Sequence, residues 1–292
     1  MAGSVKKVLG RIRVWTYPKE TIELHNTGYC WKANVPSEGA TLSGGPLSHE
    51  YQLAQYHCHW GENDHVGSEH LVNGQSYGAE IHFVNWNTKY GSFNEALKYG
   101  DGLAVLGVFL KVGKENPELN KLCELTCDIK HKEECVPFKN TLDPNKLLPE
   151  KGAYYTYLGS LTTPPCNECV IWIVFVDPIE VSHEQLESFR EMMSMKKGGC
   201  TQPSGEHRIL NNYRPPLSVE QRVVSLGYSK ACTNLHRYRS YMNSEEKQWE
   251  SLSIRERCRF TLLVRLSFIF CPWEYQMSLS RRNYYFIIVT FI

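Results

Sequence analysis

The stretch Gln55-Tyr56-His57-Cys58-His59-Trp60-Gly61 decides how this chain folds and what it can hold. Tyr56, Cys58 and Trp60 fall at every second place, the period of a half-buried strand. Residues i and i+2 of a strand project to one face, so His57 and His59 point together, away from that apolar set. Two imidazoles at this spacing can share one ion without bending the backbone. A second strand-like run, Ala79-Glu80-Ile81-His82-Phe83-Val84, follows a polar loop containing Gly67, Asn73-Gly74 and Gly78. A strand, a reversal and a neighbouring strand bring His82 beside the first pair. Three neutral imidazoles around one ion leave a fourth position open, which is the arrangement of a catalytic zinc.

By itself, a His-x-His in a strand is more often a packed or surface pair than a ligand set. The neighbours of these histidines argue otherwise. Gln55 shares the face of His57, and Glu80 shares the face of His82. Each can accept a hydrogen bond from a ligating imidazole and so fix its tautomer and orientation. A Glu in an apolar strand is costly without a partner, and a metal-bound histidine supplies one.

The rest of the chain up to Gly227 has the same β texture. Short apolar or alternating runs recur at Leu103–Val112, Tyr154–Leu158 and Val170–Val176, separated by Gly, Pro, Asn and Asp. One segment reads clearly as helix, Ser182–Met195, with Ser182 as N-cap, Gln185 three residues on, and Leu186, Phe189 and Met193 at helical spacing. The expected class is mainly β (α+β). Cys123 and Cys127 would sit one turn apart on a helix, but without a second pair this is weak evidence for a metal, and they read as buried or surface thiols.

Composition bounds the function. Of 292 residues, 42% are apolar and 22% charged, and the formal net charge is +1. That is an ordinary globular profile with no electrostatic reason to expect a nucleic-acid partner. Residues 1–20 carry Lys6, Lys7, Arg11 and Arg13 but lack the apolar run of about 7–15 residues that a secretory signal needs. A cytoplasmic protein is the expectation. Eleven cysteines, an odd number without framework spacing, fit thiols rather than disulfides.

The chain changes character after Gly227. All 21 glycines lie at or before that residue, and residues 229–292 hold ten Lys/Arg against five Asp/Glu and no Asp at all. This tail reads as a separate, poorly structured basic and aromatic segment. Its two apolar runs, Phe260–Cys271 and Tyr284–Ile292, fall short of the about 20 residues of a spanning helix. Membrane contact through the tail is the lesser reading, and a monomer the expected state.

Taken together with Gly44-Gly45-Pro46-Leu47, Gly67-Ser68-Glu69-His70, Asp101-Gly102-Leu103-Ala104-Val105-Leu106-Gly107, Gly159-Ser160-Leu161-Thr162-Thr163-Pro164-Pro165 and Asn211-Asn212-Tyr213-Arg214-Pro215, the two histidine runs resemble the animal α-carbonic anhydrases. The similarity runs from about Thr21 to about Gly227. The texture is that of cytosolic insect forms, which have a similar Gly28-Tyr29-Cys30-Trp31 stretch. The resemblance implies a domain over 21–228 on a central, twisted, largely antiparallel sheet with a few peripheral helices, and one zinc at the base of a conical cleft. Residues 1–20 have no counterpart of the family's N-terminal segment, a loss expected to expose apolar surface and lower stability.

The same resemblance assigns roles. Carbon dioxide is hydrated reversibly to bicarbonate and a proton by zinc-bound hydroxide. His57, His59 and His82 hold the metal, with Gln55 and Glu80 orienting them. Thr162 accepts the hydrogen bond that aims the nucleophile, and Glu69 accepts from Thr162. Without the resemblance, that Ser/Thr-rich turn reads equally as a plain loop. Val84, Val105, Leu161, Val170 and Trp172 match the apolar wall where carbon dioxide sits, and Thr163 a polar position beside it. His70 and Asn212–Arg214 read as internal hydrogen-bonding groups. Tyr29 occupies the place where fast members carry a proton-shuttling histidine, and a phenol with a pKa of about 10 is ill matched to that task near neutrality. Sulfonamide-type inhibitors are the expected ligands beside carbon dioxide and bicarbonate. A carbonic-anhydrase-like binding protein without activity, or a weak zinc esterase, are the other readings.

Overall fold

In the computed structural model, the described residues are 12–15, 23–35, 40–138, 142–150, 152–199, 207–217, 222–228 and 289–290. The histidine runs form the two strands at the centre of the sheet. The strands before them are β1 (Ile12–Arg13), β2 (Glu23–Asn26), β3 (Trp31–Asn34) and β4 (Thr41–Gly44), followed by β5 (Tyr51–Trp60), β6 (Leu71–Val72) and β7 (Ala79–Asn87). After a short helix α1 (Phe93–Ala96) come β8 (Leu103–Val112), helix α2 (Pro117–Thr126), β9 (Cys135–Pro137), β10 (Ala153–Gly159), β11 (Val170–Phe175), β12 (Ile179–Val181), helix α3 (His183–Arg190) and β13 (Ser225–Tyr228).

These build a large twisted sheet in the order β13-β10-β11-β8-β7-β5-β3-β2-β9, with β1, β4 and β12 attached beside that path. The class is the mainly β one expected. Most pairings are antiparallel, but β8 pairs in parallel with both β11 and β12, so the sheet is mixed. Parallel neighbours need a long crossover, and the chain between β8 and β11 supplies it, carrying α2 and β10 on the way.

Alternation along β8 divides the apolar residues between two faces. Ala104, Leu106, Val108 and Leu110 join the larger core with Trp31, Tyr56, Cys58, Trp60 and Phe83. Leu103, Val105 and Phe109 join a second cluster with Val84, Val170, Trp172 and Val174. The histidines lie on this second face.

A β-bulge in β5 puts them there. The register with β7 shifts between Leu53 and Gln55, so an extra residue enters β5 and its side-chain parity inverts. Tyr51 and Leu53 face the larger core with Tyr56, Cys58 and Trp60, while Gln55, His57 and His59 turn to the other side. The three-residue step from Leu53 to Tyr56 in an otherwise alternating apolar pattern is the signal for it.

Two local differences from the sequence reading have clear causes. Helix α3 starts with the expected capping box between Ser182 and Gln185 but ends at Arg190 rather than Met195. Beyond it the backbone is used elsewhere: Met193 N–H bonds to Lys130 O at 2.7 Å and Ser194 N–H to His207 O at 2.7 Å. Helix α2 is capped by Asn116, whose side chain accepts from Glu118 and Leu119 N–H, with Pro117 in the first turn. It buries Cys123, whereas Cys127 is exposed just past its end.

Part of residues 1–20 belongs to the packed structure. Ile12 and Arg13 pair with Gly44 and Ser43. Trp15 is buried, stacks obliquely on Phe83 at 5.1 Å, and its indole N–H donates to Asn85 Oδ1 at 2.9 Å. The core therefore takes in residues upstream of position 21. The described residues all belong to a compact unit spanning 1–230 and 287–292; the 231–286 unit lies outside them. Of the tail only Val289–Thr290, paired with Leu71–Val72, is described, so the poorly structured character expected of 229–292, and both of its apolar runs otherwise, fall outside the described residues. Among the described residues no helix is long and apolar enough to cross a membrane.

Candidate metal centre

His57 and His82 are direct cross-strand partners on β5 and β7, and His59 stands two residues further along β5. The three rings pack against one another, with centroids 5.1 Å (His57–His59), 5.4 Å (His57–His82) and 4.8 Å (His59–His82) apart. One ring nitrogen from each lies within 4.8 Å of the others. This is the set expected from sequence, gathered on one face by strand alternation and register.

The outward nitrogens are fixed by partners. His57 Nδ1 bonds to Gln55 Oε1 at 2.9 Å, His59 Nδ1 to the Asn212 carbonyl at 2.8 Å, and His82 Nε2 to Glu80 Oε1 at 2.8 Å. All three acceptors are oxygens, so each imidazole in its neutral form presents its N–H outward and its lone pair inward. That leaves Nε2 of His57, Nε2 of His59 and Nδ1 of His82 as metal-facing atoms. Asn212 was expected as an internal hydrogen-bonding group; its role in holding His59 passes through a backbone carbonyl, which carries no residue-specific signal in sequence.

Glu80 is itself held. His70 donates from its backbone N–H to Glu80 Oε2 at 2.9 Å and from Nδ1 to Oε1 at 2.6 Å, and Tyr157 OH bonds to His70 Nε2 at 2.8 Å. His70, Glu80 and His82 also come close enough together to suggest a second ligand set, but these hydrogen bonds already use the facing atoms of His70 and Glu80. Burial disfavours the Glu80 anion, yet the charges of His70 and His82 and their hydrogen bonds outweigh it and hold the carboxyl well below the usual range. His82 moves the other way: burial opposes its charged form, but Glu80 and Glu69 raise its pKa, making it the more basic ligand. Burial, with the neighbouring imidazoles, pulls His57 far down; burial also lowers His59 against the pull of Glu69. A metal requires neutral rings, which burial favours at His57 and His59, while His82 would give up its proton on binding one.

Two atoms test whether a cation fits. His59 Nε2 and Glu69 Oε2 are buried and have no hydrogen-bond partner among the described residues. They face each other at 3.4 Å, with His82 Nδ1 3.8 Å from the same oxygen. Unsatisfied lone pairs converging in a buried site are costly unless a cation meets them. The nitrogen set suits zinc.

Glu69 Oε1 accepts from Arg214 N–H at 2.8 Å. With Oε2 turned to the imidazoles, the hydrogen bond from Thr162 that the resemblance implies is not formed in this structure. Thr162 is half-buried and Thr163 exposed, in the turn that follows β10. Val84, Val105, Val170 and Trp172 do meet, in the apolar cluster beside the histidines, and Leu161 packs against it. Trp172 touches the site directly, its ring 4.8 Å from that of His82 at a steep angle. Tyr29 is 72% exposed, with Lys132 Nζ 5.8 Å from its ring centroid. Its carbonyl accepts from Asn212 Nδ2 at 2.7 Å, which ties its loop to the segment that holds His59.

Comparison with known proteins agrees with this geometry. The model of the eukaryotic-type carbonic anhydrase family matches residues 4–228. Carbonic anhydrase 3 of Rattus norvegicus is 44% identical over 187 residues, covering 64% of this chain and 70% of that protein. The Homo sapiens carbonic anhydrase 3 is 43% identical over the same shares. The mitochondrial carbonic anhydrase 5B of Rattus norvegicus is 42% identical over 210 residues, 71% of this chain and 64% of that protein. With its histidine set, its mixed sheet and a family match over most of its length, this chain belongs to the eukaryotic-type carbonic anhydrase family.

Proposed function

We propose that this protein catalyses the reversible hydration of carbon dioxide to bicarbonate and a proton, with one zinc ion held by His57, His59 and His82. The observation that carries the reading is the trio of inward lone pairs, on half-buried His57 and buried His59 and His82, set against an apolar wall. When bound, zinc lowers the pKa of its water to about 7 and so supplies a nucleophile at neutral pH.

The chain's own residues do the rest. Val84, Val105, Leu161, Val170 and Trp172 offer carbon dioxide a surface that excludes water from its carbon, and Thr163 provides a polar edge beside it. The Thr162 hydroxyl donates its hydrogen bond to Glu69 once Oε2 swings away from the imidazoles, which leaves the Thr162 oxygen able only to accept. A hydroxyl that can only accept orients the attacking lone pair toward the substrate. Gln55, Glu80 and the Asn212 carbonyl keep the ligand rings in one tautomer, and Tyr29 stands in the place for proton exchange with buffer.

The free thiols of Cys30, Cys58, Cys123, Cys127, Cys135, Cys166 and Cys169 support a reducing compartment, and we read the location as cytoplasmic. We read the working form as a monomer with small-molecule partners only, and take the domain as 21–228 with the upstream strand and Trp15 packed onto it.

Metal analysis of the purified protein beside a stopped-flow carbon dioxide hydration assay, with a sulfonamide as control, tests the reading. One zinc per chain and sulfonamide-sensitive hydration are expected. Folded protein without stoichiometric zinc, or with zinc and no hydration, would overturn it.

A further inference from the structure

The face of the sheet that carries the histidines also carries a cation. Register pairs His25 with Lys32, Lys32 with His57, and His57 with His82. Four side chains therefore stand in a row across β2, β3, β5 and β7, with adjacent Cβ atoms about 4.5–5.5 Å apart. Trp31 and Ala33, on either side of Lys32, are fully buried in the core beyond the sheet. Alternation then commits Lys32 to the histidine face.

Lys32 makes no hydrogen bond or ion pair among the described residues. Its neighbour His25 is held instead by Glu23, at 2.8 Å. A lysine beside a site for a divalent cation repels the metal, so it weakens the centre it adjoins unless it does something else there. Two like charges in a half-buried place concentrate anions.

We propose that Lys32 is a specificity-determining residue that draws small anions, bicarbonate among them, to the metal centre and slows their departure. The proposal rests on the metal site described above. The four-carbon stem lets the ammonium lean over the neighbouring ring while its charge stays solvated.

Cobalt(II)-loaded protein provides the test, because its visible absorption reports metal binding and anion entry separately from turnover. Wild type, Lys32→Gln, Lys32→Met and Lys32→Arg are titrated with azide and with bicarbonate at constant ionic strength. Both neutral variants should bind one cobalt per chain, hold it against a chelator at least as tightly as wild type, and bind each anion about 3–10-fold more weakly, the scale of a unit charge acting through a partly solvated gap. Lys32→Arg should stay within about twofold of wild type, since it keeps the charge. Anion affinities equal to wild type in the neutral variants, or an equal loss in Lys32→Arg, would overturn the proposal and leave the metal site standing. Failure of the wild type to bind cobalt would overturn both.

Discussion

Glu80 can hold His82 because Gly107, opposite His82 in the register between β7 and β8, carries no side chain. A Cβ at Gly107 would lie 2.9 Å from Glu80 Oε1, and 3.4 Å from Val174 Cγ2. That oxygen accepts from both His82 Nε2 and His70 Nδ1. The carboxylate is fixed from three sides by hydrogen bonds and from the fourth by the space the glycine leaves.

Gly107→Ala should therefore act on the metal and little on the backbone, since its backbone conformation is one an alanine adopts freely. Displacing Glu80 frees the His82 ring, and loss of such an orienting partner typically costs 10–100-fold in metal affinity, so about tenfold weaker zinc binding is expected. Competition against a chromophoric chelator measures it. Zinc affinity equal to wild type would show that Glu80 accommodates the methyl group without letting go of His82.

Trp15 makes the N-terminal segment a structural participant. Its burial, its contact with Phe83 and its hydrogen bond to Asn85 predict that Trp15→Ala costs about 3–5 kcal/mol. Urea unfolding monitored by tryptophan fluorescence and by circular dichroism would show the midpoint falling with little change in slope. A loss below about 1 kcal/mol would mean the segment is peripheral to stability.

Much of the site was legible in the sequence because strand parity is a local property. His57 and His59 at i and i+2, with Gln55 and Glu80 on the correct faces, needed no tertiary information. The apolar wall was different: Val84, Val105, Val170 and Trp172 come from three strands and read individually as core, so only the resemblance gathered them. The bulge after Leu53 left a trace in the apolar spacing. The parallel pairing of β8 with β11 left none, because it depends on where the chain returns. Helix α2 was missed for its short, charged sequence, although Asn116-Pro117 is a legible start signal. Trp15 could be read as buried only with its partners, Phe83 and Asn85, which are about 70 residues away.

Asp64 gives the stability of the α3 end a pH dependence of known sign. Burial raises its pKa, but hydrogen bonds from His183 and Arg190 and their charges outweigh that and set it below the usual aspartate value. Arg190 is almost fully buried and bonds to Asp64 Oδ1 at 2.9 Å and to the Gly61 carbonyl at 3.0 Å. A carboxyl with a depressed folded-state pKa contributes stability above its unfolded value of about 3.9, and that contribution is lost as pH falls through the folded value. Asp64→Asn should cost about 2 kcal/mol at pH 7. The gap between variant and wild type should narrow only below about pH 4, read from denaturant unfolding across that range. A gap that widens between pH 7 and pH 5 would assign the effect to His183 instead, whose pKa its bond to Asp64 raises.

The proton exit proposed at Tyr29 carries a kinetic prediction. Tyr29 stands exposed in the loop that Asn212 ties to the histidine site, and a phenol is a poorer proton carrier near neutrality than the imidazole of a histidine. Proton transfer to buffer should therefore limit turnover, while the hydration step itself proceeds unhindered. Two results follow from that separation. Concentrated imidazole should raise kcat and leave kcat/KM unchanged, since it assists only the step after bicarbonate departs. Tyr29→His should raise kcat in dilute buffer by about tenfold, with imidazole then adding little. A kcat that imidazole fails to move would show that chemistry or product release is slower than the proton, and would turn attention from Tyr29 to the groups that grip the product.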